Sequence, residues 1–378
     1  MQQPLSGIRV VDFSTLLPGP MATLMLARAG AEVIKIERPE FGDDMRRFGP
    51  RFGPNGLYFS LLNQGKRSIS VDLKAADACA RLQPLIESAD VLVEQFRPGV
   101  MQRLGLSYTD LRTINPRLIY CSITGYGQTG ELAARAGHDL NYLAATGMLA
   151  LTGGSDGTPG IPQGLMADIA GGSYPAVINI LLALAARNKN GVGCQLDISM
   201  SGNLFGFMYW ALGEGFAQQH WPRTSQGLFT GGSPRYQVYP TADGGYLAAA
   251  PLEERFWQRF CERIGLEDEF RDDRLEPEAS RDAVARSIAS RPSAYWQARL
   301  EDQDVCCCLV KNLQEVVEAG YFSDWTGGGG WLEDPEDGKI PDMPVPVAEQ
   351  FRVNSGSRSS PELGEGNELL EKPQGEGQ

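Results

Sequence analysis

The sequence predicts an α/β protein: a Rossmann-like, doubly wound large domain followed by a smaller α+β domain. Two observations carry this. Short runs rich in Val and Ile alternate with helix-patterned segments from the start of the chain to Ile123, which is the pattern of a parallel sheet. Past Gly231 the pattern changes to two strands that meet at Asp243-Gly244, a tight hairpin signal, with helices after them.

Residues 8–13 read as a buried strand, and Pro18-Gly19-Pro20 opens a helix that runs to Ala29, with Pro at an early helical position. Gly30 ends it, and residues 31–37 form a second strand. The pattern repeats: strand 68–73, helix 75–88, strand 90–95, helix 107–115, strand 118–123. Strand-helix-strand units of this kind give parallel pairing. The turn after the first strand reads Ser14-Thr15-Leu16-Leu17-Pro18-Gly19-Pro20, not GxGxxG, which argues against a nicotinamide or flavin. A long apolar helix is expected over 168–187, a strand over 194–199 and a helix over 200–216. Residues 218–232 are polar and Gly-rich, like a linker. Strands over 235–240 and 245–250 and helices over 256–264 and 283–300 complete the smaller domain. The expected division is 1–190 for the large domain, 191–230 for linker helices, 231–321 for the small domain and 322–378 for a return to the large one. Gly327 to Gly330 and a Pro-rich run over 335–346 lie in that return, and a disordered tail is expected from Pro373.

Composition narrows the function. The net charge of −13 argues against nucleic acid as a partner, since phosphate backbones need clustered Lys and Arg. Apolar content of 42% supports sizeable cores. Seven cysteines, an odd number without metal-type spacing and with three in a row at Cys306-Cys307-Cys308, fit a reducing compartment. The polar N-terminus does not read as a signal peptide, and no apolar run reads as long enough to span a bilayer, so the expected location is the cytoplasm and no membrane partner is expected.

His138 is one of two histidines and lies in Ala136-Gly137-His138-Asp139-Leu140-Asn141-Tyr142. Imidazole changes charge near neutrality, Gly137 allows close approach by a ligand, and Asp139 is placed to orient the ring. His220, in a polar stretch, reads as a solvated histidine. Asp168 opens Asp-Ile-Ala-Gly-Gly-Ser, where a helix N-cap and a catalytic carboxylate are both open readings. Backbone N–H groups at that helix start are candidate donors to an oxyanion, and Tyr142, Leu143 and Met166 are candidate pocket walls. Glu253 follows an apolar strand and matters only if the small domain reaches His138. Arg38, Lys66, Arg67 and Arg97 follow strands or sit in turns, where ligands bind open sheets, and read either as phosphate holders or as unrelated surface charges.

Taken together these residues resemble the family of alpha-methylacyl-CoA racemases and class III CoA transferases. The resemblance is carried by Leu5-Ser6-Gly7-Ile8-Arg9-Val10-Val11-Asp12, Gly30-Ala31-Glu32-Val33-Ile34-Lys35-Ile36-Glu37-Arg38-Pro39, Asn63-Gln64-Gly65-Lys66-Arg67-Ser68, Phe96-Arg97-Pro98-Gly99, Ser122-Ile123-Thr124-Gly125-Tyr126-Gly127 and Asp168. It implies that Asp168 is an acid/base group in racemases and an acyl-carrying nucleophile in transferases. Racemases resemble this chain at His138, where transferases usually carry another residue, so the resemblance favours racemisation of 2-methyl-branched acyl-CoA thioesters. It further implies that Glu253 hydrogen-bonds His138, that Arg38, Asn63, Lys66, Arg67, Arg97, Tyr126, Gly137 and Asp139 hold the CoA thioester, that no prosthetic group is needed, and that two copies interlock as a homodimer. The chain departs from the family at Cys306-Cys307-Cys308 and at Gly366-Asn367-Glu368.

Overall fold

Six short segments become strands: β1 (Arg9–Asp12), β2 (Glu32–Glu37), β3 (Arg67–Ser70), β4 (Val91–Glu94), β5 (Ile119–Thr124) and β6 (Gln195–Ser199). Their order across the sheet is β3-β2-β1-β4-β5-β6, and every pairing is parallel. Val10 faces Val33 on one side and Val91 on the other, so β1 is central and closed off from water. Parallel strands are covered on both faces, which is why they read as continuous apolar runs without alternation. The order reverses between β1 and β4, and a crevice at the carboxyl ends of such strands is where open α/β sheets take ligands.

The computed structural model describes residues 3–154, 157–326, 331–353 and 359–370. They fall into two units. The larger comprises Met1–Thr146, Gly164–Gly206 and Ser323–Gln378, and the smaller Gly147–Gln163 and Phe207–Phe322. The expected linker at 191–230 is corrected by this division: Gln195–Ser199 is an integral strand of the large sheet, and the chain crosses between units near Gly206. The expected single stretch 1–190 is also interrupted, because residues 147–163 group with the smaller unit. Gly327 to Gly330 and the tail from Pro373 lie outside the described residues.

In the larger unit, helix α1 (Pro18–Arg28) is buried along its whole length. Its Arg28 is closed in with Asp342 and Gln64. The chain's last described segment docks on β3, where Gly366 N donates to Ser68 O at 2.8 Å and Ser70 N to Asn367 Oδ1 at 2.8 Å. Helix α2 (Asp139–Ala145) and helix α3 (Tyr174–Asn190) flank the site described below. The helical run Met166–Asn190 spans 25 residues and is apolar enough to cross a membrane by length and composition, which amends the expectation that no such run exists. Its inward residues Ala176, Ile180, Ala183 and Leu184 are buried and the helix packs on β5, β6 and α1, while Ile178, Leu181 and Leu182 are exposed.

The smaller unit is built on three antiparallel strands, β7 (Gln237–Pro240), β8 (Tyr246–Ala249) and β9 (Cys307–Leu309), in the order β9-β8-β7. Trp257, Phe260, Val284, Ile288 and Trp296 from its helices form the core beneath them. The helix expected over 283–300 is two, Pro277–Ala289 and Ser293–Leu300, because Pro292 takes an extended conformation between them. The cysteine run supplies the edge strand: Cys307 packs against the core, while Cys306 and Cys308 are exposed.

Candidate active site

Two turns of the larger unit face one cavity. The first opens α2. His138 precedes it in extended backbone, and its N–H donates to Asn141 Oδ1 at 3.0 Å. Gly137 O accepts from the Tyr142 hydroxyl at 2.5 Å, which ties the turn to its own helix. The second turn carries Asp168. The expected N-cap position is corrected: Asp168 is the third residue of a wide, π-type helical run, Met166–Ser173, that leads into α3. Such turns are uncommon and concentrate at functional sites. Gly171 permits this one, since a Cβ there would lie 2.4 Å from Met200 O.

Asp139 joins the two turns. Its Oδ1 accepts from Ala167 N at 2.7 Å and from Asp168 N at 3.0 Å. It therefore caps the second turn and does not orient the His138 ring, contrary to expectation. The N–H groups at this helix start, expected as oxyanion donors, are therefore engaged: Ala167 N and Asp168 N by Asp139, and Ile169 N by Leu165 O at 2.9 Å.

The cavity has a volume of about 320 Å³ and is lined by Thr15, Leu16, Arg97, Thr124, His138 and Asp168, among others. Thr15 and Leu16 follow β1, Arg97 follows β4 and Thr124 ends β5, so the cavity lies past the carboxyl ends of the strands that flank the order reversal. Leu16 takes a left-handed backbone conformation, φ 61°, and its N–H donates to Asp43 Oδ1 at 3.2 Å. A second cavity of about 490 Å³ shares Arg97 and contains Glu94, Ser122 and Gln128.

Burial, followed by repulsion from Asp139, pushes the Asp168 carboxyl up to about 7. Burial also raises Glu94 to about 7, against hydrogen bonds from Ser122 and from Phe96 N at 2.8 Å. On the far side of β1 the carboxylates are matched by cations. Asp12 is fully buried, yet Lys66, Lys35, Ser14 and Thr23 together hold it below the usual range against the opposing effect of burial. Glu37 is held low, against burial, by the Arg46 guanidinium at 2.7 Å and by Lys35.

Residues 5–367 match the model of CoA-transferase family III. The chain belongs to this family. It is 32% identical over 371 residues to an alpha-methylacyl-CoA racemase of Homo sapiens, covering 97% of this chain and 92% of that one. It is 34% identical over 381 residues to a succinate–glutarate CoA-transferase of Agrobacterium fabrum, covering 96% and 93%. Among solved structures, Rv3272 from Mycobacterium tuberculosis superposes with a TM-score of 0.82 at 29% identity, covering 97% of this chain and 99% of that one. The family III relatives thus include both racemases and transferases.

Placed in this family III fold, the expected ligand-holding residues divide sharply. Lys66 is corrected: it is closed off from solvent, and its Nζ donates to Thr23 Oγ1 and Asn63 Oδ1 at 2.8 Å each and to Pro20 O at 2.9 Å. Asn63 is likewise internal, with Nδ2 on Phe59 O at 3.1 Å. Neither faces a ligand. Arg38 is exposed and paired with Asp44, and Arg67 is paired with Glu368. Tyr126 packs edge-on against Tyr142 at 5.2 Å. Gly137 and Tyr142 line the cavity, whereas Leu143 belongs to the interior. Glu253 belongs to the smaller unit, exposed at the start of helix Glu254–Ile264.

Arg97 and Arg135 both line the cavity, and neither forms an ion pair among the described residues. Arg135 escaped the sequence reading, as did Thr15, Leu16 and Thr124. The rule that ligands sit beyond strand ends points to the last three; nothing local marks Arg135.

Proposed function

We propose that this family III enzyme interconverts the (R) and (S) forms of 2-methyl-branched acyl-CoA thioesters by removing and returning the α-proton. The observation that carries the reading is that His138 and Asp168 line one cavity and that Asp168 is tuned to about 7. An acid/base pair that works in both directions needs each member near working pH. A thioester acidifies its α-carbon because the carbonyl oxygen takes up the charge as an enolate. Neutral His138 takes the proton from one face; protonated Asp168 delivers one to the other; the reverse reaction exchanges the roles. No prosthetic group is required, since the thioester is its own electron sink. Arg97 and Arg135 are the cations best situated to meet CoA phosphates, with Arg38 and Arg67 available after exchange of their surface partners.

A second reading draws on the transferase relatives: Asp168 attacks the thioester carbonyl and CoA leaves as thiolate; the thiolate attacks the Asp168 carbonyl of the mixed anhydride, releasing the donor carboxylate and leaving an Asp168–CoA thioester; an acceptor carboxylate then takes up CoA by the same two steps in reverse, freeing Asp168. The deciding experiment incubates a single enantiomer of 2-methyldecanoyl-CoA with the protein in heavy water. Racemisation with one deuterium at the α-carbon is expected. Retained configuration, with CoA moving to an added carboxylate and an acyl group captured on Asp168, replaces this reading by the second.

We also propose a homodimer, working in the cytoplasm. Its support is apolar surface on each unit considered alone: Ile178 and Leu182 on α3 are 56% and 63% exposed, and Tyr209 and Phe216 are each 72% exposed. Patches of that kind are normally covered by a partner. Sedimentation that returns twice the chain mass supports a second copy; a monomer at micromolar concentration refutes it.

A further inference from the structure

Thr124 ends β5 in the wall of the cavity that holds His138 and Asp168. It is 5% exposed, and its Oγ1, closed off from solvent, makes no hydrogen bond. Native interiors rarely leave a hydroxyl in that state, because the desolvation is not repaid. Three hydroxyls near it are engaged: Ser122 on Glu94, Ser201 on Gly125 O at 2.7 Å, Tyr142 on Gly137 O at 2.5 Å. Thr124 is the exception, and it stands where the chemistry is.

The reaction needs what Thr124 has to give. An enolate oxygen must meet donors fixed in advance. The two backbone N–H groups nearest Asp168 are already held by Asp139 Oδ1. One χ1 step of about 120° between staggered wells carries the hydroxyl to the place the methyl held, and the methyl to that of the Cβ hydrogen, without moving the backbone. We propose that the Thr124 hydroxyl donates a hydrogen bond to the carbonyl oxygen of the bound acyl thioester and keeps it as charge builds there. The hydroxyl transfers no proton; it solvates the oxygen. The assignment rests on an acyl-CoA thioester being the ligand, and holds whether Asp168 acts as acid/base or as nucleophile, since both routes put negative charge on that oxygen.

The test uses Thr124→Val, which keeps the shape and removes the donor, and Thr124→Ser, which restores it. The probes are 2-methyldecanoyl-CoA, its thioether analogue without the carbonyl, and free CoA, each titrated calorimetrically. Wild-type protein prefers the thioester to the thioether. Thr124→Val shrinks that preference about 10-fold and slows α-deuterium exchange by about 10²-fold. Thr124→Ser stays within a few-fold of wild type in both. Free CoA binds all three alike. The ligand-free Thr124→Val protein melts at or above the wild-type temperature, because it loses an unmet polar group; a purely structural threonine would melt lower. An unchanged thioester-to-thioether ratio in Thr124→Val, with CoA still bound, overturns the assignment and leaves the acyl-CoA reading standing. A wild-type protein that binds neither thioester nor CoA overturns both.

Discussion

Two sets of desolvated carboxylates lie in the larger unit and differ in what surrounds them. Asp12 and Glu37, at the ends of β1 and β2, are buried among Lys35, Lys66 and Arg46 and are held below the usual carboxylate range. Asp168 and Glu94, on the β4–β5 side, are buried beside other acids and rise to about 7. Burial pushes all four in the same direction. The neighbours decide the outcome, because a cation within reach repays desolvation and a second carboxylate adds to it. The paired set is architecture. The set that forms no ion pair can exchange protons near neutral pH, and that is where the cavities are.

The strongest way to break this contrast is to remove the acid. Asp168→Asn should slow α-proton exchange by about 10³-fold, the range for loss of a general acid/base group. Deuterium incorporation into a bound acyl-CoA reads it directly. Next comes the paired set. Asp12→Asn leaves Lys66 buried without its paired anion, while Lys35 keeps Asp43 at 2.9 Å, and removing one partner of a buried pair costs about 3–5 kcal/mol. Denaturant titration should show that loss. Lys66, desolvated and repelled by Lys35, is already pushed down to about 8, so part of the strain can be relieved by its giving up a proton at alkaline pH. If Asp12→Asn is neutral, the division into paired and unpaired acids is wrong.

Asp168→Asn tests stability in the opposite direction. A carboxyl raised from 3.8 to about 7 holds its proton longer in the folded state. Its stabilising effect is complete below pH 4 and is lost as pH rises to 7. The Asn variant should therefore match wild type near pH 4 and exceed it by on the order of 2 kcal/mol at pH 8, once the group's partial exposure is discounted. One substitution that removes activity and adds stability marks a site where function was kept at the expense of folding.

The strands were legible because parallel strands declare themselves as unbroken apolar runs. Val91–Glu94 falls within one residue of where that pattern puts it; Gln195–Ser199 does too, although this edge strand alternates polar and apolar residues instead. Cys307–Leu309 was not legible as a strand: three like residues show no alternation, and only pairing with β8 makes them one. The site was half legible. His138 and Asp168 announce themselves by residue type and flanking glycines. Lys66 and Arg97 look alike in sequence, each a cation near a strand, yet one is closed inside with Asp12 and the other faces two cavities. That difference is set by tertiary burial, which no local pattern encodes. Asp139 shows the same limit. It was read as a partner for the histidine beside it, and it turned instead to backbone 28 and 29 residues away.

Glu94 provides the finest test of the contrast, because it belongs to the unpaired set and yet is partly satisfied. It accepts from Ser122 and from Phe96 N, and Asp197 repels its charged form. Raised from 4.5 to about 7, it should contribute a stabilising effect that is whole below pH 4.5 and fades as pH climbs to 7. Glu94→Gln keeps the shape and one acceptor oxygen for Phe96 N while removing the charge. It should equal wild type at pH 4.5 and gain about 1 kcal/mol at pH 8, less than Asp168→Asn because the wild-type anion has those two donors to lose. Thermal melts across that range supply the measurement. A variant that is instead weaker at pH 8 would mean that the two donors outweigh burial, and Glu94 would move from the set beside the cavities to the set that holds the sheet together.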